Sequence, residues 1–302
     1  MRTSGQVELR RCRPLLGTFV EIVAFGTDAG NLERAAESAF LAIAHVHRLM
    51  SFHDPESDVS RMNRDAFNKA VRIHPWTWRV LKSAQEFARN SDGIFDVTIA
   101  GRLVKWNYLP RCGAGCRRGS SRDIILEAIN QVRFRRPLLL DFGGIAKGFA
   151  VDRAVEVLKR KRVMAGIVNA GGDLRVFGST SQFVHLRHPN QPNRAAGVMR
   201  LRERAIATSG IYFAGTQNRR RCVSPIIDAR TGRAACDFIS VTVAAENCMT
   251  ADALTKVVFA LRGEAAPLLA HYSADALLLE RDGAPSWTFH SPCDTRDRTP
   301  FD

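Results

Sequence analysis

The order of the predicted strands and helices constrains the fold of this chain more than any other feature of its sequence. Residues 17–25 have the β-branched and aromatic composition of a strand, and Asp28 follows as the N-cap of a predicted amphipathic helix. A second amphipathic helix is predicted over residues 77–90, and alternating short strands and loops fill residues 164–245. Because the strands come in groups and do not alternate strictly with helices, the pattern favours the α+β class.

Four further segments carry structural expectations. Residues 138–142 are mostly apolar and predict a buried strand that leads into two glycines. Residues 51–63 are polar and predict a turn, and the two-residue period over residues 239–243 predicts a half-buried strand. The loop 107–122 is rich in glycine and arginine and is predicted to be mobile.

The charge of the chain restricts its partners without identifying them. The formal net charge of +14 favours acidic partners such as nucleic acid, an anionic membrane or a phosphorylated small molecule. The basic runs lack the interleaved aromatic residues of a single-strand binder, so we expect no nucleic-acid partner. No stretch approaches the ~20 apolar residues that a membrane helix needs, and the N-terminus lacks the apolar core of a secretion signal. We therefore expect no membrane insertion and a cytoplasmic location.

The cysteines do not form a recognisable framework. There are seven, without the rhythm of a disulfide-rich fold, and reduced thiols are the expectation. Cys112 and Cys116 have the spacing of half a zinc site, but no second pair or suitably placed histidines complete it.

Five segments place glycine, acidic or hydroxyl residues together at the ends of predicted strands and helices. Each has a plain structural explanation as a tight turn, a helix end or an exposed ion pair. Their positions in the chain are residues 91–98, 140–148, 169–173, 226–232 and 251–256.

Residues 140–148 are the most informative of these segments. A predicted strand ends in Gly143 and Gly144 immediately before a helix, so backbone amides can approach a phosphate or a ring closely. The spacing of the glycines and of Lys147 matches neither a Walker loop nor a dinucleotide fingerprint. In residues 251–256, Asp252 and Lys256 are four apart on a predicted helix and share one face.

Together and in this order, the segments closely resemble the ApbE family, the FAD:protein FMN transferases. The resemblance runs from about residue 13 to residue 280 and also includes residues 16–18, 51–63 and 207–212. It implies an ApbE, T-fold-like α+β domain of antiparallel sheets with packed helices, over residues 13–285, followed by a polar tail over residues 286–302.

The resemblance also implies the reaction. FAD would bind in a cleft as the substrate, Mg²⁺ would neutralise its pyrophosphate, and a Ser or Thr hydroxyl of an acceptor flavoprotein would take the FMN group. Phosphoryl transfer of this kind depends on positioning and charge neutralisation more than on covalent help from the enzyme.

The resemblance and its departures single out ten candidate positions of this chain. The metal would be held by the Gly144 carbonyl and the Asp252 carboxylate, which are oxygen donors of the kind that Mg²⁺ prefers. The candidate catalytic residues are Asp252, Lys256 and Asp228. The candidate FAD contacts are His53, Ile94, Phe95, Asp96, Asp141 and Lys147.

Three positions depart from the family's pattern. Lys256 stands where the family usually has a threonine metal ligand; an ammonium cannot ligate Mg²⁺ but can place a charge beside a pyrophosphate. Pro225 stands where the family commonly has a histidine, so another group, or none, takes the proton of the acceptor hydroxyl. His53 falls where a tyrosine lines the family's flavin site.

These departures keep two alternative functions open. With water as the acceptor, the same pocket would cleave FAD to FMN and AMP. With catalysis lost, the chain would be a flavin-binding or carrier protein. The acceptor protein, the true metal, the general base and the oligomeric state are not determined by the sequence.

Overall fold

A computed structural model describes residues 6–111, 119–188, 191–210, 224–235, 238–280 and 285–289. Its helices and strands form one α+β arrangement, as predicted from the order of the elements. Residues 112–118, which contain Cys112 and Cys116, lie outside the described residues, as does the tail from residue 290. The mobility predicted for the loop 107–122 therefore stays a prediction for its central part.

An eight-stranded sheet forms the centre of the fold, with the strand order β1-β2-β6-β7-β10-β13-β14-β15. Every pairing found within the described residues is antiparallel. The strands are β1 (Val7–Leu15), β2 (Thr18–Gly26), β3 (Val71–Arg72), β4 (Ile124–Ala128), β5 (Gln131–Phe134), β6 (Ala165–Ala170), β7 (Asp173–Gly178), β8 (Gln182–His188), β9 (Gln191–Leu201), β10 (Ala205–Gly210), β11 (Ile227–Asp228), β12 (Arg233–Ala234), β13 (Phe238–Ala245), β14 (Asp275–Glu280) and β15 (Pro285–Phe289).

Three helices, the first, fifth and sixth along the chain, pack side by side against this sheet. The described helices are α1 (Ala29–Met50), α2 (Asp58–Asp65), α3 (Pro75–Asn90), α4 (Ala100–Lys105), α5 (Ala146–Arg160), α6 (Cys248–Leu261) and α7 (Ala266–His271). Helix α5 lies between α1 and α6 and contacts β6 and β7, while α6 contacts β10 and β13. The predicted capping of α1 is confirmed, since Asp28 accepts a hydrogen bond from the Asn31 N–H at 3.1 Å.

The opposite face of the sheet is covered by the hairpin β8–β9, whose Leu186 and Leu201 pack on Leu174 and Ile206. Strand β13 is consequently buried on both faces, and the half-buried strand predicted from its two-residue period is wrong in this respect. Thr242 is only 6% exposed, and its hydroxyl is hydrogen-bonded to that of Thr208 on the neighbouring strand β10 at 2.9 Å.

A close approach between α5 and α6 fixes the geometry of the site described below. A Cβ placed on Gly148 would lie 2.3 Å from the Cys248 carbonyl oxygen, a contact that no side chain allows. The N-terminus of α6 is held at this point by Asp152, which accepts the N–H groups of Cys248 at 3.0 Å and Met249 at 2.9 Å. The backbone of α5 can therefore reach the side chain of Asp252.

Two local predictions from the sequence are wrong. Residues 138–142 form no strand, because the Leu140 backbone pairs with the Asn63 side chain at 2.7 and 3.0 Å and the Asp141 N–H bonds to the Val97 carbonyl. The polar segment 51–63 is more than a turn, since Ser57 caps α2 within it. Apolar composition alone does not reveal whether a ladder partner exists.

The predicted domain limits of 13–285 stay a prediction. The described sheet extends beyond them at both ends, since β1 begins at Val7 and β15 ends at Phe289. Within the residues that the structure describes, no helix is both long and apolar enough to cross a membrane.

Candidate active site

Four charged side chains from three parts of the chain meet where α5 approaches α6. We call them the paired-charge cluster: Lys147, Asp173, Asp252 and Lys256. Lys147 lies in the first turn of α5, Asp173 is the first residue of β7, and the other two are one turn apart on α6. Both carboxylates are buried, Asp252 fully and Asp173 to within 1%. Buried charges of this kind are tolerated only when they are paired.

Both carboxylate oxygens of Asp252 have donors. Oδ2 accepts the Gly148 N–H at 3.1 Å, and Oδ1 binds the Lys256 ammonium, which also donates to the Asp252 carbonyl at 3.0 Å. Burial by itself raises the pKa of Asp252, but the ammonium groups of Lys256 and Lys147 outweigh burial and lower it. Asp252 is therefore ionised and held in one orientation.

Lys147 and Asp173 form the second pair of the cluster. Burial alone lowers the pKa of Lys147, but the carboxylates of Asp173 and Asp252 raise it above the usual range of a lysine. Burial and the neighbouring Asp252 raise the pKa of Asp173. Lys147 is thus a permanent cation at the N-terminus of a helix, in a position suited to an anionic ligand.

The Lys256 side chain crosses the space between Asp252 and Gly144. A Cβ placed on Gly144 would lie 3.3 Å from Lys256 Cε and 3.5 Å from Phe95 Cε2. Only 18% of the Lys256 side chain is exposed. The two residues predicted to hold the metal are therefore separated by the aliphatic part of a lysine.

Asp141 lies beside this cluster. Burial raises the pKa of its carboxyl, while the N–H groups of Gly143 and Phe142 and the nearby His53 and Lys256 act in the opposite direction. The structure therefore brings Asp141, His53 and Lys256 into one electrostatic neighbourhood, although 203 residues separate His53 from Lys256 in the chain.

Asp96 is used inside the protein. Its carboxylate accepts the Ser121 hydroxyl at 2.7 Å, the Ser121 N–H at 2.8 Å and the Thr98 N–H at 2.9 Å. These bonds tie the turn after Phe95 to the segment that follows residues 112–118. The predicted FAD contact of Asp96 stays a prediction, and the structure adds a positioning role.

The 226–232 turn packs beside residues 94–96. The Ala229 N–H donates to the Ile94 carbonyl at 3.1 Å, and Ile94 and Phe95 are both buried. Asp228, a candidate catalytic residue, is bound by the Arg230 guanidinium at 3.1 and 3.2 Å. Its carboxylate therefore has a cationic partner outside the paired-charge cluster.

A cavity of about 700 Å³ opens on the Asp96 side of this segment. We call it the basic cavity, because five cationic side chains and two acidic ones line it, and its volume is in the range of ligand pockets. Its cations are Arg89, Arg102, Lys105, Arg122 and Arg230.

The sequence reasoning missed two residues of the site. Asp173 lies in the predicted glycine turn 169–173 and could have been singled out as the acidic residue next to the glycines. Asp152 anchors the start of α6 and also binds Arg175 at 2.7 Å. No sequence signal marks it, because an acidic residue on an amphipathic helix is ordinarily exposed.

The predicted magnesium ligands do not fit the ion in this arrangement. Mg²⁺ requires a near-octahedral set of oxygen ligands. Here one Asp252 oxygen binds an ammonium and the other binds a backbone N–H. The neighbouring Thr255 hydroxyl is engaged with Ser209 and the Asp252 carbonyl, both at 2.7 Å. Within the described residues, no group of three or more His, Cys, Asp or Glu side chains suits a metal ion.

Comparisons with known proteins give the family. The ApbE family profile matches residues 16–278. An FAD:protein FMN transferase of Vibrio cholerae is 27% identical over 70% of this chain and 69% of its own length. One of Treponema pallidum is 25% identical over 84% of this chain and 79% of its own.

A solved structure agrees with this assignment. The ApbE protein of Thermotoga maritima superposes with a TM-score of 0.81 at 26% identity, over 93% of this chain and 97% of its own. The resemblance inferred from the ordered segments is thus confirmed over residues 16–278: this chain is a member of the ApbE family.

Proposed function

We propose that this protein is an FAD:protein FMN transferase. One observation carries the proposal: the ammonium groups of Lys147 and Lys256, each partly exposed and paired with a buried carboxylate, lie beside a double-glycine turn at the N-terminus of α5. Helix N-termini and fixed cations together form a site for phosphate groups. The names of the relatives in Vibrio cholerae and Treponema pallidum supply the substrate, FAD, and the protein acceptor.

The proposed reaction is a displacement at the FMN phosphorus. The hydroxyl oxygen of an acceptor Ser or Thr forms a bond to this phosphorus as the bridging P–O bond breaks. AMP leaves with the electron pair of that bond, and the hydroxyl proton is released. The protein holds the reactants in line and supplies fixed positive charge near the oxygens on which negative charge grows.

The FAD contacts are proposed as the sequence predicts them. Phe95 and Ile94 supply an apolar wall. His53 is exposed and is available to stack on the flavin or to donate a hydrogen bond to it. Asp141 is a candidate hydrogen-bond partner of a flavin N–H. Lys147 faces the diphosphate, and Asp96 fixes the turn that carries Phe95.

The catalytic roles are assigned by charge and pairing. Asp252 is the positioning residue that holds Lys256 and receives the Gly148 N–H. Pro225 has no group that accepts a proton, and Asp228 is ion-paired with Arg230, so neither supplies a ready base. We therefore propose that proton release needs no dedicated side chain and follows from attack on a charge-neutralised phosphate.

The basic cavity is proposed to receive a negatively charged part of FAD. It borders Gly93, which directly precedes the predicted flavin-contact residues 94–96, and Asp96, which is one of them. Its excess of cations would also raise the local concentration of an anionic substrate.

Magnesium is not given a step in this proposal. It was predicted from the resemblance with Gly144 and Asp252 as ligands, and the donor set described above does not fit it. A cytoplasmic location likewise stays a prediction from the sequence.

The test is the intact mass of an acceptor domain after incubation with the purified protein and FAD. A gain of one FMN on the acceptor, absent when its target Ser or Thr is replaced by Ala, supports the transferase. Free FMN and AMP without a change in acceptor mass would make the protein an FAD hydrolase. Bound and intact FAD with several acceptors would favour the carrier function.

A further inference from the structure

The cation of the active site is the point at which the chain departs from what its family implies. Lys256 binds Oδ1 of Asp252, the residue predicted to hold the metal, and its aliphatic part lies near Gly144. An ammonium and a divalent cation that share one buried carboxylate repel each other strongly. Only one of them fits beside Asp252.

The geometry holds the ammonium in this place. Lys256 Nζ has two acceptors, Asp252 Oδ1 and the Asp252 carbonyl, and both belong to the residue one turn before it on α6. The other Asp252 oxygen is oriented by the Gly148 N–H at 3.1 Å. Thr255, the neighbouring hydroxyl, is turned to Ser209 at 2.7 Å and away from a ligand role.

The ammonium is not sealed off from a substrate. Of the Lys256 side chain, 18% is exposed, whereas Asp252 is fully buried, so the accessible charge at this point is positive. Gly144, which its aliphatic part approaches, and Phe95, which also lies near Gly144, belong to the segments predicted to surround FAD. The third hydrogen of the ammonium has no acceptor among the bonds found within the described residues and is available to a phosphate oxygen.

We propose that Lys256 is a built-in replacement for the divalent cation: its ammonium, fixed by Asp252, meets the diphosphate of FAD and makes FAD binding and FMN transfer independent of Mg²⁺. The proposal rests on the proposed function for its substrate. The claim that Lys256 excludes the metal is independent of the proposed function.

The first experiment uses Mn²⁺ as a spectroscopic probe of the metal position, with the full-length protein and no FAD. Free Mn²⁺ is measured by electron paramagnetic resonance during titration of the wild type, K256T and K256T/D252N. We expect no saturable Mn²⁺ site in the wild type, one site of at least about tenfold higher affinity in K256T, and loss of that site in K256T/D252N. A stoichiometric Mn²⁺ site in the wild type that D252N removes would overturn the proposal.

The second experiment measures FAD binding by flavin fluorescence in EDTA and in MgCl₂. We expect the wild-type Kd to change by less than about twofold between the two conditions, and K256M to bind about tenfold or more weakly in both. K256R, which keeps the charge, serves as the matched control and should stay within about threefold of the wild type in EDTA. K256T should bind FAD weakly in EDTA and recover with MgCl₂.

The two experiments separate the failures. A wild type that binds FAD only with MgCl₂ overturns the cation replacement and leaves the transferase intact. A wild type that binds no FAD in either condition overturns the proposed function, while the Mn²⁺ titration still decides whether Lys256 excludes a metal. Circular dichroism of K256M, K256R and K256T identifies any variant that has lost its fold, and the wild-type arms do not depend on the variants.

Discussion

The paired-charge cluster and the basic cavity both bring cationic side chains together, but they differ in how those charges are buried and paired. In the cluster each ammonium has a buried carboxylate, Asp173 for Lys147 and Asp252 for Lys256. In the cavity Lys105 and Arg122 are exposed and form no ion pair within the described part of the chain.

The difference follows from burial. An unpaired charge in the interior costs several kcal/mol, so the cations of the cluster are held in one geometry by their carboxylate partners. The exposed cations of the cavity are hydrated by solvent and need no such partner. The cluster is therefore suited to act on one bond of the substrate. The cavity is suited to attract it, since exposed charges act over longer distances and weaken with salt.

The largest effect is expected when the cluster loses its central carboxylate. D252A removes the carboxylate that accepts from the Lys256 ammonium and the Gly148 N–H, so the free energy of unfolding should fall by about 3 kcal/mol. D252N keeps an acceptor for the N–H and should fall less, yet both variants should lose about 100-fold or more in FMN transfer. Urea denaturation and the rate of mass gain on the acceptor measure the two quantities. D252N with wild-type transfer would show that the fixed ammonium is not needed.

A smaller effect is expected at the basic cavity. K105E/R122E should raise the KM for FAD by about tenfold and leave kcat within about twofold, and the difference should shrink as salt is added. The matched control is K161E/R162E, which makes the same change of charge at exposed positions after α5. Equal effects of the two double variants on the KM for FAD would mean that the cavity acts only through the net positive charge of the protein and has no specific role.

A third prediction concerns acid stability. The pKa of Asp252 is lower in the folded protein than in the unfolded chain, so its pairing stabilises the fold above pH of about 4 and is lost as the pH falls below that value. The raised pKa of Asp173 has the opposite effect on the pH dependence of stability. Asp173 is present in both the wild type and D252N, which are the two proteins compared. The unfolding free energy of the wild type should therefore fall more steeply than that of D252N between pH 4 and pH 3. Parallel curves would contradict the assignment of Asp252 as an ionised, paired group.

The smallest effect is expected in the thiol reactivity of Cys248, which indicates whether water reaches the paired-charge cluster. Burial, reinforced by Asp173 and Asp152, raises the pKa of this thiol well above its ordinary value, while Cys12 is exposed on β1. Iodoacetamide should therefore label Cys12 in the native protein and leave Cys248 unmodified, and D252A should increase labelling of Cys248. Peptide mass mapping after a timed quench measures both sites. Rapid labelling of Cys248 in the wild type would mean that water reaches the cluster.

Much of the secondary structure was predictable because it depends on local patterns. The cap of α1 at Asp28 and the helical positions of Asp252 and Lys256 follow from side chains only a few residues apart. Residues 138–142 were predicted wrongly, since the partner that satisfies Leu140 is the side chain of Asn63, 77 residues away.

The sequence by itself determined the class of fold, the family, and the glycine turns and helix ends at which the charged residues stand. Only the tertiary structure decided how those charges pair. Lys147 meets Asp173 across 26 residues because α5 packs against β7. Asp252 meets the Gly148 N–H across 104 residues because Gly148 lets α5 and α6 approach without a side chain between them. Whether Lys256 points to solvent or to Asp252 and Gly144 depends on this packing, since an i,i+4 pair on an isolated helix is worth only about 0.2–0.5 kcal/mol, whereas in the interior an unpaired charge is far more costly.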